Sequence, residues 1–251
     1  MKTQKILHIS ERHSVFVGDF GIARAHRHAV PALFIGLSGP IKVKVENQDA
    51  VQCHSALIDA NVELMVDCQG EHVATLYFDV DSPSTASLRK TFLYAQKFAF
   101  DITDVTSHSK SFERKILGAN LPALFNYTLA EVNSSIDPRI DICLKNMKTN
   151  PLNFRNQMNQ ADHVSLSVSR LNHLFKSNTG VSFRHYKLWS QIGYFMRDIH
   201  GTKNISMSAL NSGFSDSSHL SNSYRKTLGT TPTSILANLD EFEICPAFLS
   251  K

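Results

Sequence analysis

The sequence is poor in the features that announce chemistry. Its four cysteines, Cys53, Cys68, Cys143 and Cys245, are widely spaced and form no CxxC pair. A thiolate zinc site is therefore not expected, and free, reduced thiols of a cytosolic protein fit the spacing. No apolar run approaches the roughly 20 residues needed to cross a bilayer. The apolar stretch inside MKTQKILHISERH is too short for a secretory leader. A cytoplasmic location with no membrane contact is the expectation. No nucleophile elbow, phosphate-cradling loop or paired catalytic carboxylates stand in the chain. Its first reading is a protein that is not an enzyme and carries no cofactor.

A core is not lacking. Hydrophobic residues make up 42% of 251 positions, so the chain can fold and is not of disordered type. Acid excess is missing from its second half. Residues 1–137 hold 13 Lys and Arg against 15 Asp and Glu, a net −2, whereas residues 138–251 hold 13 against 7, a net +6. Three of the seven acids of that half, Asp240, Glu241 and Glu243, sit in its tail. A mildly acidic front and a basic back suggest two modules, the second facing a polyanion.

Residues 14–80 read as β structure. Short β-branched and apolar stretches recur at 15–20, 32–37, 41–45, 55–58, 63–66 and 73–80, with turn residues such as Gly39-Pro40 between them. This spacing predicts a sandwich or barrel. After Asp81-Ser82-Pro83 the pattern turns helical, over 84–100 and 109–132, with Pro122 a break. Asp137-Pro138 then opens a further helix, as a cap and a first-turn proline. The domains expected are a sensor over 1–83, a helical linker or dimerisation region over 84–134, and a helical domain over 135–251.

The helical half repeats. Shifted by 49 residues, SVSRLNHLFKSNTGVS (167–182) lies over DSSHLSNSYRKTLGTT (216–231). Leu171 meets Leu220, Phe175 meets Tyr224, and Gly180 meets Gly229. Ser167 and Asp216 are good N-caps, and the two glycines suit helix ends that need a positive φ. Each copy follows a shorter helix and a tight turn, which makes a helix-turn-helix. Two such units joined by a long helix near 182–199 complete the plan.

Residues 138–235 resemble the DNA-binding domain of the AraC/XylS family of bacterial transcription regulators. LSVSRLNHLFKSNTGVSFRHY (166–186) and ALNSGFSDSSHLSNSYRKTLGTTP (209–232) carry the likeness. The chain departs from the family at Gln191, where an Arg is usual, at Phe195, where an Ala is usual, and at Ile235-Leu236, where Tyr-Arg is usual. The resemblance implies that the outer face of each second helix reads double-stranded DNA. That face is Ser169, Asn172 and His173 in the first copy, and Ser218, Ser221 and Asn222 in the second, with Ser217 and His219 beside them. Arg170, Lys176, Arg225 and Lys226 suit phosphate contacts, which position without specifying. Such helices enter successive major grooves about 34 Å apart. Leu171, Leu174, Phe175, Leu220, Tyr224 and Trp189 belong to the core. Whether the protein activates or represses is open, as is contact with RNA polymerase.

The front half, through GIARAHRHAVPALFIGLSGPIKVKV (21–45), resembles the first motif of the cupin barrel, which often precedes this DNA-binding domain. The fold class expected is therefore α+β, a cupin-like barrel followed by the all-α domain. On a strand, His26 and His28 point to one face. Two readings stand side by side. In one, His26, His28 and Glu63 hold a metal, which would suit a metal sensor or a metal-dependent cupin enzyme with a helical module attached. In the other, the His pair lines the pocket of a small-molecule effector in a regulator that works as a homodimer.

Overall fold

The computed structural model describes residues 5–10, 12–103, 116, 136–149, 152, 156–233 and 242–245. The strands in chain order are β1 (Lys5–Ile9), β2 (His13–Gly18), β3 (Ile22–Arg27), β4 (Ala32–Gly36), β5 (Ile41–Val45) and β6 (Val51–Cys53). They continue with β7 (Ser55–Ile58), β8 (Glu63–Asp67), β9 (Val73–Phe78), β10 (Phe98–Phe100) and β11 (Phe242–Cys245). Two sheets result, one ordered β10-β7-β4-β9-β2-β1-β11 and one ordered β3-β8-β5-β6. The expected cupin-like front domain takes the form of two facing sheets.

Burial explains the strand sequences. On β4, Leu33 and Ile35 pack with Val15, Leu76, Leu88 and Leu93, while Ala32 and Phe34 meet Val43, Leu64 and Val66 of the other sheet. A strand covered on both faces reads as an unbroken apolar run. On β5, Ile41, Val43 and Val45 point inward and Lys42 and Lys44 lie exposed, the two-residue alternation of a half-covered strand.

The helices are α1 (Pro83–Leu88), which runs on as a π-helical turn over Arg89–Leu93, then α2 (Pro138–Thr149), α3 (Gln157–His163) and α4 (Val168–Thr179). They end with α5 (Phe183–Thr202), α6 (Ile205–Asn211) and α7 (Ser217–Leu228). The helix expected over 84–100 is shorter than the sequence suggested. It stops at Leu93, and Phe98–Phe100 forms β10 instead, antiparallel to β7. The helix expected over 109–132 lies outside the described residues, Ile116 excepted. Asp137 does start α2, its Oδ1 accepting the Arg139 N–H at 2.9 Å.

The sheets and the helices share their cores. Leu7, Ile9 and Phe16 pack with Ile192, Phe195, Met196, Phe214, Leu220 and Tyr224. Val30 and Val80 join Leu144, Leu171, Phe175 and Tyr186. Phe195, at a family alanine position, is fully buried and lies edge-on to Tyr224 with ring centroids 6.4 Å apart. Gln191, at a family arginine position, is buried and its amide donates to the Ser212 carbonyl at 3.2 Å. After α7 the chain returns to the front, where β11 pairs in parallel with β1. Among the described residues no helix is long and apolar enough to cross a membrane. Cys53, Cys68 and Cys143 are buried and unpaired, and burial pushes their thiols up to about 12, 12 and 11.

Candidate nucleic-acid interface and inter-domain cavity

Helices α4 and α7 are built alike. The Ser167 hydroxyl accepts the Arg170 N–H at 3.2 Å, and the Asp216 carboxylate accepts the His219 N–H at 2.7 Å. That bond helps hold the Asp216 carboxyl below the usual carboxylate range. Gly180 (φ 81°) and Gly229 (φ 71°) end the two helices in the left-handed region, where glycine carries no Cβ penalty. Each helix buries one stripe, Leu171, Phe175 and Thr179 in α4 and Leu220, Ser223, Tyr224 and Thr227 in α7.

The opposite faces carry the expected polar set. Ser169, Arg170, Asn172, His173 and Lys176 are exposed on α4. On α7, Ser218, His219, Asn222, Arg225 and Lys226 are exposed, and Ser217 and Ser221 are half-buried. Some of these groups already have local partners. Asn172 Oδ1 accepts from Gln157 Nε2. His219 Nδ1 lies 3.3 Å from the Ser215 N–H, which it accepts, and its ring stands edge-on to Phe214. Of the expected core residues, Leu171, Phe175, Leu220 and Tyr224 are buried, whereas Leu174 and Trp189 are half-buried.

His26 and His28 do share a face, with their Nε2 atoms 2.9 Å apart. His26 Nδ1 lies 2.6 Å from the Arg24 carbonyl, so it carries the proton and donates. His26 Nε2 is then the acceptor, and His28 Nε2–H donates to it. Burial lowers the His26 imidazole to about 4 against the opposing pull of the Arg24 carbonyl. Burial also holds His28 well below its ordinary value, helped by the neighbouring His26 and His185. Both rings are neutral at pH 7.

Glu63 does not join them, which corrects the three-residue ligand set. In the β3–β8 register Arg27 faces Glu63 and His26 faces Leu64. Since alternate residues point to opposite faces, Glu63 lies with Arg27 on the outer side, 3.2 Å from its guanidinium. The residues present do not fit a resident metal. The two imidazoles satisfy each other, and no three His, Cys, Asp or Glu side chains gather as a metal site among the described residues.

The His pair lies instead at the seam between the domains. The Arg24 N–H donates to Gly229 O at 2.9 Å, and His185 Nε2, on the first turn of α5, bonds the Arg27 carbonyl at 3.0 Å. Beside it is a cavity of about 100 Å³. The sheets contribute Leu7, Ile9, Phe16, His26, Phe34 and Thr75 to its wall, the helices Trp189, Ile192, Met196, Tyr224 and Leu228, and the loop after α7 Thr230. Sequence reasoning found His26 here and missed the rest, because the wall is gathered from positions up to about two hundred residues apart.

Comparison with known proteins agrees with this geometry. Residues 160–238 match the family model of a helix-turn-helix domain. Among curated proteins, no sequence matches the chain significantly. Among solved structures, ToxT from Vibrio cholerae superposes with a TM-score of 0.54 over 90% of this chain and 98% of that one, at 13% identity. A ToxT structure bound to (E)-4-(8-methylnaphthalen-1-yl)but-3-enoic acid gives 0.55 at 13% identity over 90% and 98% of the two chains. An unsaturated fatty acid-bound ToxT, also from Vibrio cholerae, gives 0.51 at 15% identity over 94% and 97%. At such identities the likeness shows the fold alone.

Two helices with corresponding caps behind a sheet-built front domain are the arrangement expected of a DNA-binding regulator, and the helix-turn-helix match falls on them. Residues 160–238 thus carry a helix-turn-helix domain, and the chain as a whole shares the fold of ToxT.

Proposed function

We propose that helices α4 and α7 read successive major grooves of a promoter, and that a small apolar effector in the inter-domain cavity adjusts how they do so. The observation that carries the first half is the repeat: two helices of one length, capped alike, each burying one stripe and presenting small polar groups on the other. Small side chains let the backbone approach the groove floor, where Asn and Ser meet base edges and Arg and Lys meet phosphates. The second half is supported by the cavity wall, which takes residues from α5, α7 and five strands. A ligand there touches Tyr224 and Leu228 on the buried side of a reading helix. The acids bound by ToxT in its solved structures support an effector with an apolar body. The protein acts in the cytoplasm as a homodimer joined through residues 84–134, and engages RNA polymerase from the promoter.

Binding assays over a range of salt test the reading face. Asn222→Ala should lose about 1–3 kcal/mol of discrimination between the target site and single-base variants. Lys176→Ala and Lys226→Ala should weaken all sequences alike and each lower the salt slope by about 1. Equal loss on specific and random DNA for Asn222→Ala would remove that residue from base reading.

A further inference from the structure

We propose that the inter-domain cavity takes an uncharged ligand, an apolar body bearing one hydroxyl or carbonyl that Thr75 and Thr230 hydrogen-bond from the two domains. This rests on the reading of the cavity as the effector site. Two observations support it independently. Thr75 Oγ1 and Thr230 Oγ1 are both buried without a hydrogen-bond partner, and both residues line this cavity. Thr75 is 1% exposed on β9 and Thr230 is 8% exposed just beyond α7, so one orphan hydroxyl comes from each domain. Buried hydroxyls are nearly always paired, because an unpaired one has given up its water and gained nothing in return. A ligand oxygen between them would satisfy both.

The second observation is the charge of the wall. Among the described lining residues there is no Lys, Arg, Asp or Glu. The single titratable imidazole, His26, is neutral and spends its Nδ1 proton on the Arg24 carbonyl. A carboxylate drawn into such a wall would lose its hydration and find no cation. An alcohol or ketone would lose far less and gain the two threonines. The expected ligand class therefore differs in its head group from the acids seen with ToxT.

Trp189 is the single tryptophan and lines the cavity, so its fluorescence reports occupancy. The full-length protein is titrated at pH 7.5 with 1-octanol and with octanoate. Octanol should bind at least about tenfold more tightly than octanoate. Thr75→Val and Thr230→Val keep the side-chain shape and delete the hydroxyl. Each should weaken octanol about three- to tenfold while melting no lower than the wild type, since an unpaired polar group has been removed. Octanoate binding as tightly as octanol, or octanol binding unchanged in both variants, would overturn the neutral-ligand proposal and leave the cavity as an effector site. No saturable change with either probe, in protein with an intact melting curve, would overturn both.

Discussion

Replacing Gly229 with alanine should destabilise the protein by roughly 3 kcal/mol or more, whereas the same change at Gly180 should cost about 1 kcal/mol. The two glycines hold equivalent places in the repeat. Both have positive φ, and each N–H closes its helix on the carbonyl four residues back, Lys176 O at 2.9 Å and Arg225 O at 3.0 Å. A Cβ pays the same left-handed penalty at either site. The surroundings differ. At Gly180 the nearest atom to an added methyl is Arg89 Nη2 at 3.7 Å, the far end of a flexible side chain. At Gly229 the methyl would stand 2.5 Å from Arg24 O and from His26 Nδ1, and 3.0 Å from Arg24 N. Two of those atoms are backbone of β3 and cannot turn aside. The end of α7 must lift off the strand, which breaks the Arg24 N–H to Gly229 carbonyl bond and opens the cavity at Leu228 and Thr230. Urea melts of the two variants check the difference, and limited proteolysis should find the Gly229 variant cut faster. Equal stability in the two variants would mean that α7 is not docked on β3 in solution.

That contact also marks the limit of what the sequence made legible. The back domain could be read because its information is local. Caps, four-residue apolar spacing and C-terminal glycines lie within a dozen residues of one another, and the 49-residue repeat states them twice. The shared face of His26 and His28 was legible for the same reason, a two-residue period on a strand. Glu63 failed because its face depends on the register of β8 against β3, and that pairing carries a bulge between Ala23 and His26 which no local pattern records. Phe98–Phe100 read as helix because a short apolar run has no period of its own, and β7 decides its conformation by pairing with it. The cavity was out of reach altogether. Its walls join Leu7 and Ile9 to Tyr224 and Thr230, and only the packing of the two domains brings them together.

The largest effect on how those domains hold together is expected at Lys148. Its Nζ on α2 lies 2.8 Å from Asp81 and 3.2 Å from Asp79, two carboxylates just past the end of β9. The Tyr186 hydroxyl of α5 donates to Asp79 Oδ1 at 2.7 Å. One strand end of the front domain is thus bound to two helices of the back domain by a single half-buried charge cluster. Burial raises the Asp79 carboxyl to about 6, with Lys148 opposing and Asp81 adding to the rise. Burial pulls Lys148 the other way, but the facing carboxylates Asp79 and Asp81 outweigh it and its pKa stands above the ordinary value. Lys148→Met should therefore cost on the order of 3 kcal/mol at pH 7.5, since two half-buried carboxylates lose their cation. The sign of the pH dependence follows. Asp79 binds its proton more tightly in the folded state than in the unfolded chain, so its contribution is complete below about pH 4 and is lost as pH rises through about 6. Removing the cation raises that carboxyl further, so the variant pays most at neutral pH and least in acid. The gap in stability between wild type and Lys148→Met should narrow from pH 7.5 to pH 4.5, and Asp79→Asn should remove much of the narrowing. A gap that stays constant across that range would mean that solvent, rather than the domain interface, surrounds the cluster.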